Sequence, residues 1–150
     1  MPESQIILVV DDEPQVIKAF TRVLAKAGYT ILSAHSGTAG MRILRKTPVD
    51  LVILDLSMPE PDGFEVLAMI RNEQPELKVL VASGFIGGSL LRAARLLGAS
   101  ATMQKTEAPK NLLPVVQRLV GAAIRPHRLT RVRPADAGHA QSSSAQPSTE

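Results

Sequence analysis

The most constraining feature of this chain is a regular alternation of five short β-type runs with five helical patterns. The runs lie at 5–10, 30–34, 50–55, 77–82 and 100–104, and the first, third and fourth are almost wholly apolar. Apolar runs of this length are typical of parallel strands covered on both faces. Parallel strands are joined by right-handed helical crossovers. We therefore expect an α/β fold, a doubly wound five-stranded parallel sheet of the (βα)5 type with strand order 2-1-3-4-5.

Local signals predict where the helices begin and end. Pro14 opens the first helix and Gly28 follows its end, while Ser36 can cap the second helix. Asp62 and Glu65 have the spacing of an acidic capping box before the third helix. A fourth helix is expected at roughly 88–97, before Gly98.

The fifth helix contains a proline at position 114. A proline inside a helix costs about 3 kcal/mol, because it removes a hydrogen bond and clashes with the preceding turn. In the first turn it would remove only an N–H group that has no partner anyway. We therefore expect Asn111 to be the N-cap of this helix, with Pro114 in the first turn.

Bulk properties indicate one ordinary globular domain. The chain has 150 residues, 45% of them hydrophobic and 21% charged, and it has no Cys. The lack of Cys excludes disulfides and thiolate metal sites, and it fits a reducing, cytoplasmic location. No apolar run approaches the ~20 residues of a membrane span, and the first residues do not resemble a secretion signal.

The last 26 residues differ in composition from the rest. Residues 125–150 are rich in Arg, Ser, Pro and Ala and have no periodicity, so we expect a disordered tail after a domain at 1–124. This segment carries four Arg against Asp136 and Glu150, which accounts for +2 of the formal net charge of +3. The remaining body is therefore almost neutral, so the basic balance of the chain says little about nucleic-acid binding.

Polar side chains stand at the carboxyl ends of four of the five predicted strands. In an open α/β sheet these ends share one edge, where ligands bind. Several carboxylates in one small cleft repel one another unless a cation is present, and such oxygen ligands suit Mg²⁺. A lysine and a hydroxyl nearby would suit a phosphoryl group carried on a nucleophilic Asp. The residues are Asp11, Asp12 and Glu13 after the first strand, Asp55 after the third, Ser83 after the fourth and Lys105 after the fifth.

Five segments in this order resemble a response-regulator receiver domain of two-component signalling, of the stand-alone type. They are ILVVDDEP, VILDLSMPEPDG, LVASG, LGAS and MQKT. The resemblance covers most of the predicted domain and implies the flavodoxin-like form of the doubly wound sheet. It also implies that Asp55 is the phospho-acceptor, and that Ser83 and Lys105 contact the phosphoryl group. The implied Mg²⁺ ligands are Asp12, Asp55, the backbone carbonyl of Ser57 and, through a water, Asp11.

The resemblance further implies partners and a mode of action. A histidine kinase, a phosphotransfer protein or a small acyl phosphate would donate the phosphoryl group, and the modified domain would bind an unknown downstream protein in trans. Such a receiver is not an enzyme in the usual sense, because it catalyses only its own phosphorylation and dephosphorylation. A homodimer through the face formed by the fourth helix, fifth strand and fifth helix is possible. The residues after the predicted domain carry no pattern of a DNA-binding or other output domain, so we expect this chain to act through binding in trans.

Two positions depart from the receiver pattern. Thr102 stands where receivers usually carry an aromatic side chain, and Phe85 is the nearby aromatic residue that could replace it. Thr106 stands where receivers usually have a proline after a cis bond. A cis bond before a residue other than proline costs about 2.5–4 kcal/mol, so we expect the Lys105–Thr106 bond to be trans.

Parts of the sequence are also compatible with other functions. The main alternative is a pseudo-receiver, which is the same fold acting as a phosphorylation-independent protein-binding module. The segment VASGFIGG resembles a nucleotide-binding turn, but it follows the fourth strand rather than the first. Phosphatases with a nucleophilic Asp usually carry a second Asp two residues later, where this chain has Ser57. Each residue also has an ordinary structural explanation, such as a helix-start acid for Asp12 or a turn-forming Asx residue for Asp55.

Overall fold

A computed structural model describes residues 3–84 and 88–125 of the chain. Its main sheet contains the five strands β1 to β5, at Ile6–Val10, Thr30–Ala34, Leu51–Leu54, Lys78–Ser83 and Ala101–Gln104. The helices α1 to α5 span Pro14–Lys26, Gly37–Lys46, Gly63–Glu73, Gly88–Leu96 and Ala108–Val120. Every strand pairing in this sheet is parallel, and the order is β2-β1-β3-β4-β5. The predicted doubly wound fold and its strand order are confirmed.

Two apolar clusters cover the two faces of the sheet. Alternate residues of one strand enter different clusters: Leu8 and Val10 pack with α2, α3 and α4, whereas Ile7 and Val9 pack with α1 and α5. All four side chains are buried. The continuous apolar runs read from the sequence thus follow from covering each strand on both sides. The polar residues at the carboxyl ends of the strands, such as Asp55, belong to neither apolar cluster and share one edge of the sheet.

The helix-start signals hold in the structure. The Ser36 hydroxyl accepts a hydrogen bond from Ala39 N at the start of α2. Asp62 and Glu65 form the complete capping box of α3, with Asp62 Oδ1 accepting from Glu65 N and Glu65 Oε1 from Asp62 N. Gly28, after α1, has a φ of 104°, which favours glycine. These interactions fix the directions in which the loops leave the sheet edge.

The prediction for the start of α5 is wrong. The helix begins at Ala108, with Pro109 in its first turn, so Asn111 is not the N-cap and Pro114 lies inside the helix. The side chain of Pro114 is on the exposed face. Water can therefore hydrogen-bond the carbonyl of Lys110, the i−4 group that Pro114 cannot reach, and the buried face of Leu112 and Val116 outweighs the local cost.

A second small sheet lies at the other end of the domain. Glu3–Ser4 pairs antiparallel with Ile124–Arg125. Gln5 is not part of β1; its buried amide donates hydrogen bonds to the carbonyls of Val120 and Ala122. The sequence places Arg125 in the disordered tail, but in the structure its backbone pairs with that of Glu3 as part of this small sheet.

Residues 126–150 of the predicted tail, and Phe85, lie outside the described residues. Among the helices in the described ranges, none is long and apolar enough to cross a membrane.

Candidate functional site

Four of the predicted site residues meet at the carboxyl edge of the sheet. Asp11 and Asp55 directly follow β1 and β3, Ser83 is the last residue of β4, and Lys105 opens a 3-10 turn after β5. The backbone N–H of Asp55 donates to the Val10 carbonyl at 3.0 Å, which ties the end of β3 to its neighbour β1. The sheet order therefore places residues far apart in the chain in one cleft.

Each of the two buried carboxylates uses one oxygen to shape its own loop. Oδ1 of Asp11 accepts from the backbone N of Glu13 at 2.9 Å, and Oδ1 of Asp55 accepts from the backbone N of Ser57 at 3.2 Å. Oδ1 of Asp55 thus has the role of an Asx-type turn residue, which was the ordinary structural interpretation of this position. Both carboxylates keep Oδ2 for the cleft.

Lys105 brings a positive charge into the cleft. Its Nζ lies 2.8 Å from Asp11 Oδ2, 3.1 Å from Glu13 Oε1 and 3.4 Å from Asp55 Oδ2. The contact with Asp55 is an ion pair without hydrogen-bond geometry, because Asp55 Oδ2 has no hydrogen-bond partner among residues 3–84 and 88–125. Glu13 was placed at this edge by the sequence, but its contact with Lys105 was not predicted.

Ser83 completes the edge between Asp55 and Lys105. Its residue surface is fully buried, and its Oγ also has no hydrogen-bond partner within the described part of the chain. An unpaired buried hydroxyl is costly in a folded protein, so it needs an explanation. Two buried oxygens without a hydrogen-bond partner in the described part of the chain, Asp55 Oδ2 and Ser83 Oγ, stand at the same edge of the sheet, which indicates that a polar ligand belongs there.

Burial and neighbouring charges in the cleft shift the pKa values of its ionisable side chains. Burial, and then the negative charge of Asp11, raise the pKa of Asp55 to about 6. Burial also raises the pKa of Asp11. Burial by itself would lower the pKa of Lys105, but the hydrogen bond and charge of Asp11 outweigh it and raise that pKa. The cleft therefore holds more negative charge than Lys105 can compensate, which favours a second cation.

Carboxylate oxygens of Asp11, Asp12 and Asp55 lie within 4.8 Å of one another. This spacing and the hard oxygen donors suit a divalent cation such as Mg²⁺. Ser57 lies in the adjoining loop and contributes its N–H to Asp55. The structure thus brings Asp11, Asp12 and Asp55 together as potential ligands, with Ser57 beside them.

The two threonines that depart from the receiver pattern lie on β5 and in the 3-10 turn that follows it. Thr102 is half-buried and lines a shallow depression of about 420 Å³ beside α4, together with Leu91, Arg92, Arg95 and Leu96. The Lys105–Thr106 bond is trans, as expected; the only cis peptide bond within the described ranges precedes Pro61. Lys105 is therefore presented by the 3-10 turn Lys105–Glu107, in which Gln104 N donates to Glu107 Oε1.

Curated relatives match parts of this chain. It is 41% identical over 75 residues to the transcriptional regulatory protein GlrR of Escherichia coli (strain K12), a match covering 50% of this chain and 17% of GlrR. It is 38% identical over 80 residues to the response regulator GtcR of Aneurinibacillus migulanus, covering 53% of this chain and 33% of GtcR. The chain thus spans a third or less of these two relatives.

Solved structures and a family model cover more of the domain. A receiver domain protein from Clostridium thermocellum aligns with a TM-score of 0.73 at 27% identity, over 77% of this chain and 94% of that one. The response regulator TrrA from Thermotoga maritima, solved in complex with Mg²⁺ and BeF, aligns with a TM-score of 0.70 at 30% identity, over 77% of this chain and 98% of TrrA. The sequence-family model that describes the response regulator receiver domain matches residues 7–117 of this chain. Fold, sequence match and strand-edge residues agree, and this chain belongs to the response regulator receiver family.

Proposed function

We propose that this domain is a phospho-accepting receiver in which Asp55 takes a phosphoryl group in the presence of Mg²⁺. The observation that carries the proposal is Oδ2 of Asp55, in a residue only 2% exposed: it faces Lys105 but accepts no hydrogen bond within the described ranges, and neither does the Ser83 hydroxyl at the same strand edge have a hydrogen-bond partner there. A buried nucleophile with one oxygen held by a hydrogen bond and the other without one is positioned for attack on phosphorus. We place its use in a two-component phosphorelay.

The transfer step balances without any other reactant. A carboxylate oxygen of Asp55 forms a P–O bond with the donor's phosphorus. The P–N bond of a phosphohistidine breaks, and its electron pair stays on the imidazole nitrogen. With acetyl phosphate, a P–O bond breaks and acetate leaves. Hydrolysis of the aspartyl phosphate by water later restores the Asp55 carboxylate and releases phosphate.

The residues present fit a magnesium ion, since Asp55 Oδ2 accepts no hydrogen bond within the described ranges and carboxylate oxygens of Asp11, Asp12 and Asp55 lie within 4.8 Å of one another. Asp12, Asp55 and the backbone carbonyl of Ser57 would hold the ion, with Asp11 bound through a water. When bound, Mg²⁺ would neutralise charge on the transferring phosphoryl oxygens. TrrA, a similar protein, has been solved with Mg²⁺ and BeF.

Lys105 and Ser83 then have complementary roles. The ammonium of Lys105 can pair with phosphoryl oxygens, and the Ser83 hydroxyl can donate to one of them and so gain the partner it lacks. Movement of these two groups toward Asp55 would shift an existing equilibrium between two surface conformations. A histidine kinase or phosphotransfer protein is the proposed donor, and the downstream partner binds in trans. The comparisons give no support to a phosphorylation-independent binding module.

Intact mass spectrometry tests the proposal. We expect a single phosphoryl adduct after incubation with acetyl phosphate and Mg²⁺, and none with Asp55→Ala or with a chelator. Asp62→Asn is a matched control, because Asn preserves the N-cap of α3 and Asp62 lies outside the cleft. A wild-type protein that binds Mg²⁺ but gains no adduct would contradict the proposal, as would an adduct that persists in Asp55→Ala.

A further inference from the structure

Lys105 is held by an acid that has no assigned role in the site. Of its three carboxylate contacts, those with Asp11 and Asp55 are buried, whereas the side chain of Glu13 is 50% exposed. We infer that Glu13 is a positioning residue: it holds Lys105 in the unphosphorylated protein and competes with the phosphoryl group for its ammonium. The inference rests on the proposed function of Asp55 and adds a residue that tunes it.

The backbone of Glu13 is firmly placed. Its N–H donates to Asp11 Oδ1, and its carbonyl accepts from Val16 and Ile17 at the start of α1. Its side chain then reaches Lys105 Nζ, which is 92 residues further along the chain. Glu13 therefore links the loop before α1 with the turn before α5.

The turn that carries Lys105 makes side-chain contacts important for its direction. This turn has no proline after the lysine, and its 3-10 geometry is fixed by the bond between Gln104 N and Glu107. That bond orients the backbone but does not contact the ammonium. The position of Nζ is instead set by the carboxylates on the β1 side of the cleft, at 2.8 and 3.1 Å, which are both closer than Asp55 at 3.4 Å.

The exposure of Glu13 decides how strong this restraint can be. A solvent-exposed ion pair contributes little free energy, so Lys105 can leave Glu13 easily while it stays near Asp11. When an anion is attached to Asp55, Glu13 opposes its binding in two ways: it competes for Lys105 and repels the added negative charge. Removing this carboxylate should therefore strengthen binding of a phosphoryl mimic.

Beryllofluoride at saturating Mg²⁺ is the probe, with its Kd measured by isothermal titration calorimetry on the full chain. We expect Glu13→Gln to lower this Kd on the order of two- to fivefold, the range that an exposed ion pair gives. Glu13→Asp shortens the reach but keeps the charge that repels the added anion, so we expect a Kd between those of the wild type and Glu13→Gln. Glu107→Gln is the matched control, because it removes a charge from the lysine's own turn while keeping the acceptor for Gln104 N.

A Lys105→Ala background separates competition from simple repulsion. We expect most of the effect of Glu13→Gln to vanish there, because no ammonium is left to release. An equal effect in both backgrounds would overturn the positioning role, and so would an unchanged Kd for Glu13→Gln in the native background. Failure of the wild type to bind beryllofluoride with Mg²⁺ would instead overturn the proposed function itself, and this inference with it.

Discussion

Nζ of Lys105 lies 3.4 Å from Oδ2 of Asp55, yet that carboxylate oxygen receives no hydrogen bond from it. The ammonium makes its shorter contacts with Asp11 and Glu13. Lys105 is therefore close enough to compensate part of the charge of Asp55, but leaves its Oδ2 without a hydrogen bond. The cost is visible in the pKa of Asp55, which burial and the neighbouring Asp11 raise to about 6.

Asp55→Asn is expected to stabilise the metal-free protein at neutral and higher pH. The pKa of Asp55 is about 6 in the fold against an ordinary value of 3.8, so the folded state holds the proton more tightly than the unfolded state. Its contribution to stability is complete below 3.8 and is lost as the pH rises through about 6. Asn resembles the protonated form, and after allowance for solvent screening we expect a gain on the order of 1–2 kcal/mol above that range.

Urea unfolding followed by circular dichroism, with chelator present, measures this difference. The advantage of Asp55→Asn over the wild type should shrink as the pH is lowered from above 6 toward 3.8. If Asp55→Asn is less stable than the wild type throughout this range, burial of the ionised Asp55 carboxylate does not destabilise the fold.

Mg²⁺ should stabilise the wild-type domain, and Asp12→Asn should remove most of this stabilisation. A ligand that binds only the folded state at about 100 times its Kd adds about 2.7 kcal/mol. Asp12 belongs to the three-acid group but is not among the buried polar residues, so its replacement should leave the metal-free fold intact. Thermal unfolding with and without Mg²⁺ provides the measurement, and Asp62→Asn should retain the full magnesium response.

Gly63→Ala is expected to destabilise the domain and displace Asp55. A Cβ at position 63 would overlap the carbonyl oxygen of Asp55 and the Cα of Leu56, which are backbone atoms that cannot rotate away. Overpacking of this kind costs about 1–3 kcal/mol, and here the shift would fall on the proposed acceptor. Denaturant unfolding tests stability, and the extent of acetyl phosphate labelling tests the site.

Gly84→Ala is the matched control for stability, since its nearest contact would be Lys105 Cδ at an ordinary 3.9 Å. Equal losses of stability in the two variants would mean that the close approach of Gly63 to the Asp55 backbone does not cause the loss of stability in Gly63→Ala.

Pro114→Ala is expected to stabilise the domain by about 1–2 kcal/mol. The substitution restores an N–H group inside α5 on an exposed face, and this gain is only partly offset by a more flexible unfolded chain. Pro109→Ala, in the first turn, should change the free energy of unfolding little, because that position lacks an intrahelical partner in any case. A loss of stability in Pro114→Ala, measured by urea unfolding, would contradict this account of α5.

Amino-acid patterns alone predict the alternation of strands and helices, the parallel sheet and its order, and the edge at which the polar residues stand. These features depend on short-range information: apolar runs such as 51–54, capping residues such as Asp62, and the connection rules for parallel strands. Because strand ends share one edge, these patterns also assign Asp11, Asp55, Ser83 and Lys105 to one cleft.

How these groups divide their contacts depends on the folded chain and could not be predicted from the sequence. The pairing of Lys105 with Glu13 joins positions 92 residues apart. Whether Asp55 Oδ2 accepts a hydrogen bond depends on small differences in distance between side chains that come from the ends of β1, β3 and β5. The start of α5 was likewise set by the packing of Leu112 and Val116, which outweighed the local preference against Pro114. Local sequence signals carry periodicity and turn chemistry, but the competition among several carboxylates for one ammonium is settled by distance and burial in the folded chain.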